Sequence, residues 1–307
     1  MMPDGATPAT PDASPARGGL PDGDPRPGSA RAASAVPAER RVVAVVPLRD
    51  GFSGKSRLAA VLDPAERSRL TAVLARHVVG TLLASEAVER VLVVTSDPRF
   101  AWRALGSLVP PVPPPMDDDP GSPTVTDAPV EGDAPGGRGR PVPSPAADGP
   151  GRLQIVLQPA SRPGLNAALD VGRELVAATS AAVDRRAGPV RLLVAHADLP
   201  ALTVEDVESL LAVDSPVVVA TDRARSGTNL LVLDADAPFT FRFGVGSLDA
   251  HLAEADLRGV RAAVVHRTGT AMDLDTLDDW AELPADVRSR DELSELHRAM
   301  DRARSDI

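Results

Sequence analysis

Short apolar runs alternate with stretches of helical spacing along most of the chain. The runs are rich in valine and leucine, which is typical of strands buried on both faces of a parallel sheet. We predict seven such strands, at Arg41–Pro47, Val91–Thr95, Leu153–Leu157, Val190–Ala195, Val217–Thr221, Asn229–Leu233 and Arg261–His266.

Helical spacing and capping residues occupy the intervals between these runs. An Asp-Pro-Ala-Glu sequence at 63–66 predicts a helix start, as does Thr203 with an acid three residues later. Further helices are predicted over Gly164–Ala178, Gly246–Glu254 and Asp286–Arg304, the last packing on the edge of the core. Strands and helices in alternation predict an α/β fold with a doubly wound, mainly parallel sheet and right-handed crossovers.

Proline use divides the chain. Residues 1–41 and 108–151 hold 21 of the 31 prolines and few large apolar residues, so they cannot offset the entropy of ordering. We therefore predict a disordered tail over 1–40 and a single domain over 41–307. A disordered insertion interrupts that domain at about 108–151.

Charge and cysteine content exclude several classes of function. The net charge is −10, and no basic stripe with interleaved aromatic residues is present, which disfavours nucleic-acid binding. Cysteine is absent, which excludes disulfides and thiolate chemistry. No apolar run approaches the ~18 residues of a membrane span, and no signal-peptide core follows the N-terminus. These features predict a cytoplasmic protein.

Carboxylates follow two of the predicted strands. Asp198 comes just after Val190–Ala195, and Val264–Asp275 closes with Met-Asp-Leu-Asp, which supplies Asp273 and Asp275. Ligands of open α/β sheets bind beyond the carboxyl ends of strands, and magnesium prefers oxygen ligands together with bound phosphates. The pattern favours a magnesium site, although Asp198 alone could equally be an acidic turn residue before a helix.

A basic loop follows the first strand, with the sequence PLRDGFSGKSRL. It is not a P-loop, because Arg49 stands where the first glycine of that motif is required. Arg49, Lys55 and Arg57 together with glycine-exposed amides could still neutralise a triphosphate. The alternative is a solvated basic turn.

Two glycine-containing turns suggest an anion site. Thr228 follows a glycine in a Gly-Thr-Asn turn that leads into a predicted strand, and Gly244-x-Gly246-Ser247 opens a helix. Free amides at a helix start and the serine hydroxyl would bind an anion, and the alternative is an ordinary glycine turn with a serine cap. His251 and His196 are interpreted as packing residues.

Six segments in order resemble one known family. They are VPLRDGFSGKSRL, PGLNAAL, AHADLPALT, SGTNLL, FGVGS and MDLDT, and the resemblance covers nearly all of residues 42–280 outside the insertion. The chain resembles the 2-phospho-L-lactate guanylyltransferases, also described as phosphoenolpyruvate guanylyltransferases, which act in biosynthesis of coenzyme F-420. The resemblance implies a Rossmann-like nucleotidyltransferase fold, Mg²⁺ and GTP.

The resemblance also implies roles for individual residues. Asp198, Asp275 and Asp273 match the metal positions, and Asp198, Lys55 and Arg57 are expected to carry catalysis. The residues matching the nucleotide site are Arg49, Lys55, Ser56, Arg57, Leu58, Gly164, Leu165 and Asn166. Those matching the site of the phosphorylated three-carbon acid are Thr228, Gly244 and Ser247.

Three positions depart from the usual pattern of that family. Arg49 replaces a usual lysine, which keeps the charge but changes its reach. His196 replaces a common proline, and Arg162-Pro163 interrupts a usual glycine run before Gly164.

The implied reaction is transfer of GMP from GTP to phosphoenolpyruvate or 2-phospho-L-lactate, with release of diphosphate. Since the acceptor phosphate is already an anion, no general base is required, in keeping with the lack of a Ser-His-Asp or Cys-His arrangement. The alternatives are a nucleotidyltransferase acting on a sugar phosphate or another acceptor, and a non-catalytic nucleotide-binding protein. The acceptor and the oligomeric state stay open.

Overall fold

Seven strands form one sheet in the computed structural model, which describes residues 41–49, 55–109, 151–182 and 189–305. All of these residues belong to one compact unit, residues 38–307. The strands are β1 (Arg41–Leu48), β2 (Val88–Thr95), β3 (Leu153–Leu157), β4 (Val190–Ala195), β5 (Val217–Thr221), β6 (Thr228–Asp234) and β7 (Ala262–Val265).

Nine α-helices are assigned within the described residues, and none of them is long and apolar enough to cross a membrane. Three short 3₁₀ turns accompany them, at Ser56–Leu58, Gly106–Leu108 and Asp291–Leu293. The α-helices are α1 (Pro64–Ala84), α2 (Pro98–Leu105), α3 (Leu165–Ala182), α4 (Val204–Leu211), α5 (Ser247–Leu257), α6 (Thr268–Ala271), α7 (Leu277–Glu282), α8 (Ala285–Arg288) and α9 (Ser294–Ser305).

The predicted doubly wound sheet is confirmed, with one strand reversed. The strand order is β3-β2-β1-β4-β6-β5-β7, and β6 pairs antiparallel with both of its neighbours while all other pairs are parallel. The reversal brings the start of β6 to the edge where β4 and β5 end, since Leu230 pairs with Ala195 and Thr228 with Thr221.

Alternating side chains of the central strands bury both faces of the sheet. Val42, Ala44 and Val46 pack with residues of α1, α2 and α4 on one face. Val43 and Val45 pack with residues of α3 and α5 on the other. A third apolar cluster joins the first half of α1 to α7, α8 and α9.

Two predicted helix starts and several strand bounds are confirmed. Asp63 and Glu66 form a capping box at the start of α1, and Thr203 and Asp206 form another at α4. The apolar runs of β3, β4 and β5 have the predicted bounds. The N-terminal tail and residues 110–150 of the insertion lie outside the described residues, so the predictions about them stay predictions.

Two predicted elements are wrong. Val264–Asp275 is not one strand end, because β7 ends at Val265 and the helical turn α6 intervenes before the acids. Asp286–Arg304 is not one helix, because Arg290 is extended and separates α8 from the segments that follow. The Arg290 guanidinium donates to the carbonyl of Pro200 at 2.8 Å, which holds this break against the loop after β4. The edge packing of α9 is nevertheless confirmed, since Leu296 and Met300 are buried in the third cluster.

Gly172 lets α3 lie directly on the sheet. A Cβ at this position would lie 2.6 Å from Cγ1 of Val45 and 3.3 Å from Cγ2 of Val94. Both neighbours are β-branched and stiff, so neither can turn away cheaply. The closeness of α3 to β1 and β2 therefore depends on this glycine.

We expect Gly172→Ala to lower the free energy of unfolding by about 1–2 kcal/mol. Overpacking costs about 1–3 kcal/mol, and alanine returns at most about 1 kcal/mol of helix propensity. The control is Gly106→Ala, where an added Cβ meets nothing within 4 Å. Urea denaturation measures both, and equal stabilities of the two variants would contradict the packing argument.

Candidate active site

The loop after β4 and the segment after α6 are joined at the edge of the sheet. The backbone N–H of Leu274 donates to the carbonyl of Asp198 at 3.1 Å. This hydrogen bond brings the two predicted acidic positions together, although the second acid pair follows a helical turn rather than a strand. The start of β6 lies beside them, because the N–H of His196 donates to the carbonyl of Asn229 at 3.0 Å.

Lys55 lies between two of the predicted metal aspartates. Its Nζ donates to Oδ2 of Asp198 at 2.6 Å and to Oδ1 of Asp275 at 2.7 Å. The Lys55 side chain is 7% exposed, and the residue adopts a left-handed backbone (φ 56°) that is uncommon outside glycine. A guanidinium nitrogen of Arg57 lies 3.8 Å from the other oxygen of Asp275, and the Arg57 side chain is 72% exposed.

The charges of this cluster stabilise one another. Burial by itself would lower the pKa of Lys55, but the charges of Asp198 and Asp275 outweigh burial and raise that pKa. Burial by itself would raise the pKa of Asp198, but the charge of Lys55, then that of His196, together with hydrogen bonds outweighs burial and lowers that pKa. Lys55 and Asp198 are therefore both ionised at neutral pH.

Asp273 has a different environment from the other two acids. Burial, together with the charge of Asp198, raises the pKa of Asp273 to about 6. The amide of Asn229 donates to Oδ1 of Asp273 at 3.3 Å and to the carbonyl of Thr270 at 3.1 Å. Sequence reasoning assigned Asn229 only to a strand, although its place in the Gly-Thr-Asn turn put it beside a predicted site residue.

The acidic cluster has an unused acceptor suited to a cation. Oδ1 of Asp198 is buried and has no hydrogen-bond partner among the described residues. No group of three or more His, Cys, Asp or Glu side chains within the described ranges is arranged to hold a metal ion. Magnesium commonly takes only one or two protein carboxylates and completes its shell with phosphates and water, so the residues present fit that ion.

The loop before α5 partly differs from the expectation for an anion site. Gly246 is the N-cap in a left-handed conformation (φ 69°), and Ser247 is the first residue of α5. The prediction of free amides at the start of this helix is partly wrong, because the N–H of Ser247 donates to the carbonyl of Gly244 at 3.2 Å. The N–H of Leu248 donates to the carbonyl of Ser226 at 3.1 Å. The turn itself uses the first of these amides and the loop before β6 uses the second, which leaves the Ser247 hydroxyl of the predicted donors.

Both histidines near the site pack as predicted. His251 is fully buried, and both of its ring nitrogens are hydrogen-bonded, Nδ1 with Oγ1 of Thr228 at 2.9 Å. The ring of His196 lies on Phe243 with 5.2 Å between centroids. Nε2 of His196 is buried with no hydrogen-bond partner among the described residues.

Asn166 connects the predicted nucleotide segment to the loop before α5. Its Nδ2 donates to the carbonyl of Phe243 at 3.0 Å, and its Oδ1 accepts from the N–H of Phe243 at 2.9 Å. Gly164 has a positive φ of 94° just before α3, which begins at Leu165. The base-binding roles of these three residues stay predictions, and Asn166 has one structural role already.

The remaining members of the basic loop lie at different depths. Arg49 and Ser56 are exposed, while Leu58 is buried in the third apolar cluster and anchors the loop. Residues 50–54 lie outside the described residues. The carboxylates, the basic side chains and Thr228 thus meet at one edge of the sheet.

Relatives of the chain identify its family. A family model described as guanylyl transferase CofC like matches residues 153–298. A phosphoenolpyruvate guanylyltransferase from Rubrobacter xylanophilus is 36% identical over 247 residues, which are 80% of this chain and 94% of that protein. The chain belongs to this guanylyltransferase family. A 3-phospho-D-glycerate guanylyltransferase from Phenylobacterium zucineum is 29% identical. That match covers 82% of this chain and 95% of that protein.

A solved structure supports the fold of this family member. A protein from Desulfovibrio desulfuricans described as a nucleotide-diphospho-sugar transferase has a TM-score of 0.55 and 11% identity. The match covers 86% of this chain and 98% of that one. The predicted nucleotidyltransferase-type fold and the predicted resemblance are both confirmed.

Buried neutral His251 makes the stability of this guanylyltransferase depend on pH. Burial is the largest cause that lowers the pKa of His251 from 6.5 to about 4, and the charges of His196 and Arg242 lower it further. The charge of Glu254 opposes this shift. The folded state therefore binds fewer protons than the unfolded state between these values. The resulting stability is complete above pH 6.5 and is lost as the pH falls toward 4.

We expect His251→Gln, which cannot be protonated, to flatten this part of the pH profile of unfolding. The substitution removes a loss of unfolding free energy that amounts to at most about 3 kcal/mol between pH 6.5 and 4. Urea denaturation at half-unit pH steps measures it, with the exposed His266→Gln as the matched control. A His251→Gln profile as steep as that of the control would show that His251 is not the group responsible.

Proposed function

We propose that this chain is a guanylyltransferase that moves GMP from GTP to phosphoenolpyruvate or 2-phospho-L-lactate in coenzyme F-420 biosynthesis. The observation that carries the proposal is the cluster of Lys55, Asp198 and Asp275 beside the turn of Thr228 and Asn229. Its support from outside the structure is the 36% identity to a phosphoenolpyruvate guanylyltransferase. The absence of cysteine agrees with a cytoplasmic enzyme.

The reaction is an in-line displacement at the α-phosphorus of GTP. An oxygen of the acceptor phosphate forms a new bond to that phosphorus. The bond from the α-phosphorus to the bridging oxygen breaks, and its electron pair leaves with diphosphate. The nucleophile is already anionic, so the enzyme has to align two anions and neutralise their charge.

The basic side chains supply that neutralisation. Arg57 is largely exposed beside Asp275, and Arg49 is exposed at the end of β1, so both are free to contact a triphosphate. Lys55 is buried, and its two carboxylate partners stabilise its charged form. In this proposal Lys55 contacts the phosphates while it stays close to Asp198 and Asp275.

Asp198 and Asp275, with Asp273 beside them, would hold the magnesium ion. When bound, the ion would polarise the phosphoryl oxygens and stabilise the charge on the departing diphosphate. The unpartnered Oδ1 of Asp198 supports this assignment, and the amide of Asn229 would orient Asp273.

The experiment is a diphosphate-release screen of the full chain with four nucleoside triphosphates and Mg²⁺. The acceptors are phosphoenolpyruvate, 2-phospho-L-lactate, 3-phospho-D-glycerate and a sugar 1-phosphate, and mass spectrometry identifies the product. We expect release only with GTP, and with phosphoenolpyruvate or phospholactate as the best acceptor. Release with 3-phospho-D-glycerate or the sugar phosphate alone would overturn the acceptor class, and release with no acceptor would overturn the transferase activity.

Asp198→Asn should remove most turnover while the fold persists. An amide lacks the charge needed to balance Lys55 and to bind magnesium, so we expect a loss of roughly 100-fold or more in kcat. Asp214→Asn, at an exposed acid away from the site, is the matched control. Near-normal turnover in a folded Asp198→Asn enzyme would refute the role of this carboxylate.

Thr228→Val and Ser247→Ala test the acceptor side. Each lost hydrogen bond to a charged group costs about 1.5–3 kcal/mol, so the KM for the acceptor should rise about tenfold or more. The KM for GTP should change little, and Thr268→Val on the exposed start of α6 is the control. A rise in the GTP KM alone would mean that the two substrates are exchanged in this assignment.

A further inference from the structure

His251 connects the strand that carries Thr228 to the loop that precedes α5. Nδ1 of His251 lies 2.9 Å from Oγ1 of Thr228. On the opposite side of the ring, Nε2 lies 3.0 Å from the backbone nitrogen of Arg242. Thr228 begins β6, and Arg242 lies two residues before Gly244, so one side chain contacts a predicted acceptor residue and the loop that leads to another.

The contact with Arg242 fixes the position of the proton on the ring. A backbone N–H can only donate, so Nε2 of His251 must accept and cannot carry a hydrogen. In the neutral ring the single proton is then on Nδ1. The ring stays neutral because it is fully buried, and that burial also lowers its pKa to about 4.

A proton on Nδ1 determines how the Thr228 hydroxyl is used. Nδ1–H donates to Oγ1 of Thr228, so the oxygen accepts from the ring and the hydroxyl hydrogen must point elsewhere. No hydrogen bond among the described residues uses that hydrogen. Thr228 is therefore left as a donor, which is what an anionic acceptor requires.

Aromatic contacts keep the His251 ring from turning. The ring of Phe243 packs against it edge to face, with 4.7 Å between centroids and 73° between planes. Phe239 lies on another side at 5.9 Å. The backbone of Phe243 is itself held by Asn166, which donates to its carbonyl and accepts from its N–H. The donor direction of Thr228 is thus set by the protein before any ligand binds.

We propose that His251 is a positioning residue, which makes the Thr228 hydroxyl a donor to the phosphate or carboxylate of the acceptor. This inference rests on the proposed function and on the acceptor role of Thr228. It assigns no contact between His251 and substrate. His251 is a packing residue, as predicted, and under this proposal it also orients the Thr228 hydroxyl.

Two substitutions separate the two hydrogen bonds of the ring. The amide nitrogen of Asn in His251→Asn lies near the position of Nδ1 and can still donate to Thr228. The amide oxygen of Gln in His251→Gln lies near the position of Nε2 and can still accept from Arg242. We expect His251→Asn to keep the acceptor KM within about twofold, and His251→Gln to raise it about tenfold.

A purely structural role would give a different result. It predicts that both variants lower kcat, stability and the affinity for both substrates together. Under the proposal the GTP KM and kcat stay within about threefold in both variants, and His251→Gln has no further effect on acceptor KM in a Thr228→Val background. Equal acceptor KM values for the Asn and Gln variants, or additive effects in the double variant, would overturn the proposal.

A measurement on the unsubstituted protein covers the case in which neither variant folds. Long-range ¹H–¹⁵N spectra of protein labelled in its histidine rings report which nitrogen of His251 is protonated. We expect the proton on Nδ1, and a proton on Nε2 would overturn the inference. If the unsubstituted enzyme uses none of the acceptors, the proposed function fails, whereas this spectrum still tests the arrangement of His251.

Discussion

A single buried ammonium organises the candidate active site. Lys55 binds two carboxylates that lie 143 and 220 residues further along the chain, at 2.6 and 2.7 Å. If Lys55 were absent, the negative charges of Asp198 and Asp275 would lie together without a cation between them. Oδ1 of Asp198 is already buried without a hydrogen-bond partner among the described residues. Since removing one partner of such a cluster leaves an uncompensated charge, the loop after β1, the loop after β4 and the segment after α6 depend on one another.

The reversed strand β6 gives the acceptor side its place. In an entirely parallel sheet the start of that strand would lie at the opposite edge from the carboxyl ends of β1 and β4. Because β6 runs antiparallel, Thr228 and Asn229 begin the strand beside the acidic cluster. Asn229 then contacts Asp273 while Thr228 contacts His251, so adjacent residues belong to the proposed metal site and the proposed acceptor site.

The sequence predicted whatever depends on local pattern. The apolar runs gave the bounds of β3, β4 and β5, because a strand buried on both faces needs continuous apolar residues. It could not predict the direction of β6, since a buried strand has the same composition in either direction. The Lys55 contacts were also out of reach, because they join positions that only tertiary packing brings together. The break at Arg290 escaped prediction because it depends on a hydrogen bond to Pro200, far away in sequence.

The amides at the start of α5 show why a motif is not yet a site. Gly244-x-Gly246-Ser247 has the composition of an anion-binding turn, but the N–H of Ser247 donates within the turn and the N–H of Leu248 donates to Ser226 in the loop before β6. Asn166 likewise uses its amide to hold Phe243. Under the proposal, what remains for a ligand is a smaller set of donors whose directions the protein has fixed, chiefly the Thr228 hydroxyl. A few fixed donors suit a small dianion better than many loose ones, because the cost of orienting them is met during folding rather than during binding.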